Sequence, residues 1–246
     1  MIPRPILHEK PRLLDLFCGA GGAAMGYHRA GFDIVGVDIK PQPHYPFEFV
    51  ECDALDYLRI LIDSESGWGT DLRVVEFDVI HASPPCQAHT TMSNRWRNAG
   101  GRADEHVNLI PPTRELLEQT ELPWVIENVP GAKPHLRSPV VLNGPNVGLY
   151  RLARPRLFEA NFMILVPNYQ KVVDPIGVYG KAPDGRLLFR RADGTEQRAA
   201  RSLEEGREVI GIDWMEWREL CEAIPPAYTE LIGHQLMQHI RTGAAA

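Results

Sequence analysis

A cysteine held on a stiff turn after a hydrophobic run has the makings of a nucleophile, and Ser83-Pro84-Pro85-Cys86-Gln87 is such a segment. The preceding Phe77-Asp78-Val79-Ile80-His81-Ala82 reads as a buried strand, and two consecutive prolines cannot donate to a sheet ladder, so the strand must end there. Cys86 therefore falls at the carboxyl end of a strand, where open α/β sheets bind ligands, and a thiolate is the most nucleophilic side chain near neutral pH. A lone cysteine is more often a buried structural residue. The residues that accompany Cys86 decide between the two readings.

One companion is Glu127, which follows the apolar run Pro123-Trp124-Val125-Ile126 and so also stands at a strand end. A carboxyl in a partly desolvated pocket has its pKa raised toward the range of a proton donor. Without context it would read as a surface residue opening a loop. Arg154 and Arg156 occupy alternate positions, so in an extended segment their guanidinium groups converge on one side. Arginines flanking a proline otherwise belong to a solvated loop.

The elements that would position these groups begin near the amino terminus. Leu13-Leu14-Asp15-Leu16-Phe17 is a short apolar strand that runs into Cys18-Gly19-Ala20-Gly21-Gly22 and then a helix. Glycines let backbone approach a ligand, and the free N–H groups of a helix start favour polar or anionic groups. Such turns are common in doubly wound folds whether or not they bind anything. Val35-Gly36-Val37-Asp38 adds a second strand ending in an acid about 20 residues on, where nucleotide sites place the carboxylate that takes ribose hydroxyls. The turn is not in G-x-G-x-x-G register and lacks the Lys and Ser/Thr of a P-loop, which disfavours dinucleotides and ATP.

In this order the motifs resemble the C5-cytosine methyltransferase family. Asp15-Leu16-Phe17-Cys18-Gly19-Ala20-Gly21-Gly22 resembles its S-adenosylmethionine loop, and Ser83-Pro84-Pro85-Cys86-Gln87 its catalytic Pro-Cys-Gln segment. Glu127-Asn128-Val129 matches its Glu-Asn-Val motif, and Arg154-Pro155-Arg156 its paired arginines. The likeness runs from about residue 12 to 160, with a weaker piece at Ile224-Pro225-Pro226-Ala227-Tyr228-Thr229-Glu230-Leu231-Ile232-Gly233. It implies a Rossmann-like α/β fold of the class I S-adenosyl-L-methionine-dependent methyltransferases. It also implies a reaction in which Cys86 adds to cytosine C6 while Glu127 protonates N3, so that C5 becomes nucleophilic.

The resemblance further implies that Asn128 braces the acid against the cysteine loop, that Arg156 bonds the cytosine O2, and that Arg154 orders the loop or meets a phosphate. For the cofactor it implies Asp15, Phe17, Gly19, Gly21 and Gly22 in the loop, Asp38 on the ribose, Ile39 on the adenine face, Asp53 on the adenine amino group, and Pro85 nearby. Ile39 as a core residue and Asp53 as a helix cap before Ala54-Leu55-Asp56-Tyr57-Leu58 stay open as alternatives. Two positions depart from the family pattern: Leu152 stands where it has Gln, and Cys221-Glu222 where it has Gly-Asn.

A chain of 246 residues can bury a large core. We expect a catalytic and cofactor-binding domain over 1–160, a small insert over 161–212 in place of a target-recognition domain, and a segment over 213–246 that returns to the first domain. Four cysteines without paired spacing, no bilayer-length apolar run and no leader point to the cytoplasm of a bacterial cell or phage-infected host, with no membrane partner and no metal. The expected substrate is cytosine in DNA. The net charge of −6 and the short insert leave open a free cytidine nucleotide, CMP or dCMP, with RNA behind it. A non-catalytic nucleic-acid-binding protein is the reading from a different class. Arg190 and Arg191, with Arg186, Arg198 and Arg201 around them, are the insert's candidates for phosphate contact, against an equally plain reading as a solvated hairpin.

Overall fold

The computed structural model describes residues 9–64, 76–85, 108–190 and 194–243. Cys86, Gly100, Gly101, Arg191 and the basic residues Arg95, Arg97 and Arg102 lie outside the described residues. In chain order the main elements are β1 (Arg12–Leu16), α1 (Gly22–Arg29), β2 (Asp33–Asp38), β3 (Glu48–Glu51), α2 (Ala54–Ser64), β4 (Val79–Ala82), α3 (Ile110–Gln119) and β5 (Trp124–Asn128). There follow β6 (Val140–Leu142), β7 (Arg156–Ala160), β8 (Ile176–Gly177), β9 (Leu187–Arg190), β10 (Glu196–Ala199), α4 (Leu203–Ile210), α5 (Trp217–Glu222) and α6 (Pro226–Gly243).

Seven strands form one sheet in the order β3-β2-β1-β4-β5-β7-β6. Neighbouring strands run parallel from β3 to β5, and β7 is antiparallel to both β5 and β6. This is the expected Rossmann-like α/β fold. The order reverses at β1 and β4, and their carboxyl ends, tied by the Ser83 N–H donating to the Leu16 carbonyl at 3.1 Å, form the crevice such sheets offer to ligands.

Alternation along β1 divides the core. Leu14 and Leu16 pack with α2 and α3 on one face, while Leu13 points with Tyr27, Phe32, Tyr228 and Ile232 into the layer under α1 and α6. On that second face, Gly36, Asp15, His81 and Val125 lie in one row across β2, β1, β4 and β5. A buried polar pair, Asp15 and His81, thus lies beneath α1.

Glycine permits the close packing of α6 on α1. A methyl at Gly26 would lie 2.1 Å from both the Pro226 carbonyl and Thr229 Oγ1. The Thr229 hydroxyl donates to the Ala23 carbonyl at 2.8 Å, closing the contact with a buried hydrogen bond. Proline opens α6 because its missing N–H is unpaired at a helix start in any case.

After β7 the chain forms a second, three-stranded sheet in the order β8-β10-β9, with β9 and β10 antiparallel. Ser202 caps α4 by accepting the Glu205 N–H, and Gly211 at φ 79° ends it. Leu152, Ile176, Val178, Ile210, Trp217 and Leu220 share one cluster with Ala20 of the glycine-rich turn. That cluster draws from all three expected segments.

Candidate active site

Glu127 sits in β5, the strand that flanks β4 of the switch point, and is 6% exposed. Burial pushes its pKa up, opposed by Arg156, Arg154 and a hydrogen bond from Ser83. Arg156 Nε stands 3.0 Å from Glu127 Oε1, an ion-pair distance, yet that oxygen has no well-directed hydrogen bond. The result is a carboxyl whose charge is supported but not locked, which suits a group that must give up and recover a proton.

Asn128, the next residue, turns its side chain to the adjacent strand end: Nδ2 donates to the Pro84 carbonyl at 2.9 Å, while Oδ1 accepts the Val129 N–H at 2.9 Å. Pro84 is buried and Pro85 exposed. The turn that leads into Cys86 is therefore held against the strand that carries Glu127, although Cys86 itself lies outside the described residues.

The two arginines diverge instead of converging. Arg156 is the first residue of β7 and faces Glu127. Arg154 precedes the strand and buries its guanidinium elsewhere, donating to the carbonyls of Val178 and Cys221 and lying 5.4 Å from the centre of the Tyr179 ring. Its main chain is held as well, the N–H by Asn143 and the carbonyl by the Tyr228 hydroxyl. The alternation rule fails because the segment before Arg156 is not extended strand. Its two terminal nitrogens, bonded beside the small sheet and to α5, make Arg154 a brace that ties the approach to β7 to both. Leu152, at the position where the family pattern has Gln, packs in the same region.

The cofactor candidates divide into an open set and a buried one. Phe17 (φ 59°), Gly19 (φ 50°) and Gly21 (φ 84°) all adopt left-handed backbone, a strained choice for phenylalanine that turns the chain sharply after β1. A methyl at Gly19 would meet nothing within 4 Å, so the loop presents bare backbone to open space there. Asp38 holds the loop from β2, Oδ2 accepting the Gly19 N–H at 3.1 Å and Oδ1 the Lys40 N–H at 3.0 Å. Its oxygens keep lone pairs for further donors. Ile39, 63% exposed beside it, offers a free apolar face and is not core. Asp53 accepts the Leu55 and Asp56 N–H groups and so caps α2.

Asp15 and Gly22 do not belong to the open set. Asp15 is 0% exposed, beneath α1 beside Tyr45 and Cys18, with both oxygens lacking a hydrogen bond and its pKa pushed well up by burial and by Asp38. Gly22 is needed for packing, since a methyl there would lie 2.4 Å from the Ile224 carbonyl. Both shape the loop from behind. Exposed apolar face, bare glycine backbone and a second-strand carboxylate fit an adenosine-bearing group such as S-adenosyl-L-methionine.

Three residues to which motif reading gives no role stand beside Glu127. Ser83 stands next to Glu127 and opposes the rise in its pKa, His81 Nε2 lies 2.8 Å from Ser83 Oγ, and the Tyr27 hydroxyl lies 3.0 Å from His81 Nδ1. The signal was the spacing His81–Ser83, two polar residues on one face of an otherwise apolar strand. Among the described residues no helix is long and apolar enough to cross a membrane.

Comparison with known proteins bears on these features. The model of the C-5 cytosine-specific DNA methylase family matches residues 12–143. The Type II methyltransferase M.XorII of Xanthomonas oryzae pv. oryzae is 29% identical over 131 residues, which take in 50% of this chain and 29% of that protein. The chain thus spans less than a third of that relative. Among solved structures, a DNA modification methyltransferase encoded within an E. coli prophage superposes with a TM-score of 0.57 at 15% identity, covering 94% of this chain and 99% of that one. A Spodoptera frugiperda DNMT2 variant gives 0.54 at 12% identity, covering 94% and 100%. These likenesses concern the fold.

Proposed function

The chain belongs to the C-5 cytosine-specific DNA methylase family, and we propose that it methylates C5 of cytosine in DNA with S-adenosyl-L-methionine as donor. The observation that carries this reading is Glu127, a buried carboxyl flanked by Arg156 and joined through Asn128 to the turn that leads into Cys86. In this mechanism the Cys86 thiolate adds to C6 as Glu127 passes its proton to N3, which makes C5 nucleophilic. Arg156 bonds the cytosine O2 with its planar donor fork. Once C5 has taken the methyl group, a base removes the C5 proton, the thiolate leaves, and N3 returns its proton to Glu127. A cytosine in duplex DNA must first be flipped out of its stack, at a cost of roughly a few kcal/mol.

Phe17, the backbone at Gly19 and Gly21, Asp38, Ile39 and Pro85 would hold the donor, and the second carboxylate oxygen of Asp53 would meet the adenine amino group. When bound, S-adenosyl-L-methionine supplies an electrophilic methyl group. Asp38 accepts ribose hydroxyls while its bonds to the Gly19 and Lys40 N–H groups keep the loop in place. Ile39 covers the adenine face and excludes water from it.

A second reading, methylation of free CMP or dCMP, draws on the insert. Three of its arginines are matched internally: Arg186 pairs with Asp184, Arg190 with Glu196, and Arg198 with Glu205. Such pairing reduces their value as phosphate contacts. Tritiated-methyl transfer measured side by side on duplex DNA, single-stranded DNA, RNA, dCMP and CMP separates the readings. Productive methylation of duplex DNA that falls steeply with salt supports the first, since each neutralised phosphate releases counterions. Saturable turnover of a nucleotide with no activity on any polymer overturns it.

A further inference from the structure

Beside Glu127 stands a file of three polar side chains that runs from α1 through β4 to Ser83, the residue that opens the cysteine turn. Tyr27 on α1 and His81 on β4 are both 0% exposed. The Tyr27 hydroxyl lies 3.0 Å from His81 Nδ1, and His81 Nε2 lies 2.8 Å from Ser83 Oγ. Ser83 follows Ala82, the register partner of Ile126, and so stands next to Glu127 at the adjoining strand end, where it opposes the rise in the Glu127 pKa.

The direction of each bond follows from its end. A fully buried hydroxyl needs an acceptor for its proton, and among the described residues His81 Nδ1 is the partner Tyr27 has. Tyr27 therefore donates, and Nδ1 carries a lone pair. A neutral imidazole then bears its one proton on Nε2, which donates to Ser83 Oγ. With its oxygen occupied as an acceptor, Ser83 directs its own proton to Glu127. Complete burial, which pushes the His81 pKa down to about 3, keeps the ring neutral and the sequence of donors intact.

Resting on the reading of Glu127 as the acid, we propose that Tyr27 is a positioning residue that locks the tautomer of His81 and, through Ser83, fixes a hydrogen-bond donor on Glu127. The lock stabilises the carboxylate left when Glu127 gives its proton to cytosine N3. No proton travels along the file: one O–H···O bond strengthens as the adjacent carboxyl ionises. With the other tautomer the Ser83 hydroxyl would turn to His81 Nε2, and Glu127 would lose a donor and become a weaker acid. The remaining groups around Glu127 are Arg156 at the start of β7, Arg154 before it, Tyr228 from α6 and Tyr27 from α1; Asp15 on β1 is the register neighbour of His81.

The test reads protonation directly and needs no turnover. In the full-length protein with ¹⁵N-labelled histidine, assigned by its loss in His81→Gln, the ring should show an unprotonated Nδ1 and a protonated Nε2. A protonated Nδ1 in the wild type overturns the proposal without recourse to any variant. With ¹³C-labelled glutamate carboxyls, assigned through Glu127→Gln, Tyr27→Phe and Ser83→Ala should each raise the Glu127 titration midpoint by about half a unit or more. The double variant should match Ser83→Ala alone, because Tyr27 acts through Ser83. An unmoved midpoint in Tyr27→Phe, or shifts that add, would refute the lock. The pH profile of single-turnover methyl transfer should shift its basic limb with the midpoint. A midpoint that moves while that limb stays overturns the acid role of Glu127 and leaves the lock standing.

Discussion

Asn128 Nδ2 donates to the Pro84 carbonyl at 2.9 Å, so the strand that carries Glu127 and the turn that leads into Cys86 are fastened by one buried bond between their carboxyl ends. Truncation to Asn128→Ala leaves that carbonyl buried without its partner, a loss worth about 1–3 kcal/mol. We expect methyl transfer to fall by about 10- to 100-fold while affinity for S-adenosyl-L-methionine stays unchanged, as read by single-turnover kinetics and equilibrium cofactor binding. Equal losses in both would show that the bond holds up the fold at large.

Cys86→Ser should lose at least about a thousandfold in rate, or roughly 4 kcal/mol of barrier, and still bind cofactor. Near-normal turnover by this variant would rule out the covalent route. Mass spectrometry of the wild-type enzyme stalled on a 5-fluorocytosine substrate should find the adduct on the peptide that contains Cys86.

Glu127→Gln should suppress methyl transfer far more than substrate binding. Because burial raises the Glu127 pKa, the wild-type rate should hold at lower pH and decline as pH climbs through that raised value, where the proton needed at N3 is no longer present. The glutamine variant should lack that limb. A rate that rises across the same range would make Glu127 a base and reverse the assignment.

Acid should weaken the fold through His81. Its folded value of about 3 lies below the ordinary 6.5, so the native state binds fewer protons than the unfolded chain. The stability tied to this ring is complete above about pH 6.5 and is lost as pH falls toward 3, up to roughly 5 kcal/mol for a shift of this size. Glu205, held down to about 2 by its hydrogen bonds from Arg198, contributes in a lower window, between its ordinary 4.5 and 2. Urea titrations at pH 7, 6 and 5 should show falling midpoints for the wild type, and a smaller fall for His81→Gln. Parallel slopes would remove His81 from the account.

Much of this was legible in local chemistry. Two prolines after an apolar run located the end of β4, and the run before Glu127 located β5, because strand termination is a local matter of lost donors. The glycine loop was visible too, but not the division of labour within it: Gly19 faces open space whereas Gly22 accommodates Ile224, a partner about 200 residues away in the sequence. Arg154 was misread for a related reason. Its carbonyl partners come from Val178 and Cys221, and no periodicity within Arg154-Pro155-Arg156 reports them. The tyrosine of the His81 file was equally hidden, since Tyr27 reaches its partner across two layers of the fold.

The packing of α6 on α1 sets an order of events in time. Thr229 and Ala23 are joined across 206 positions of sequence, so the groove that Gly22 and Gly26 leave on α1 has no occupant until α6 has been synthesised and has docked. A ribosome-bound chain stopped after α5 would carry the whole glycine-rich loop and both strand ends, yet with that groove open and the loop without its backing. Closing a loop of this length is an entropic cost met late, which slows folding and concentrates it near the end. Competence to hold the methyl donor should therefore emerge only once α6 has docked.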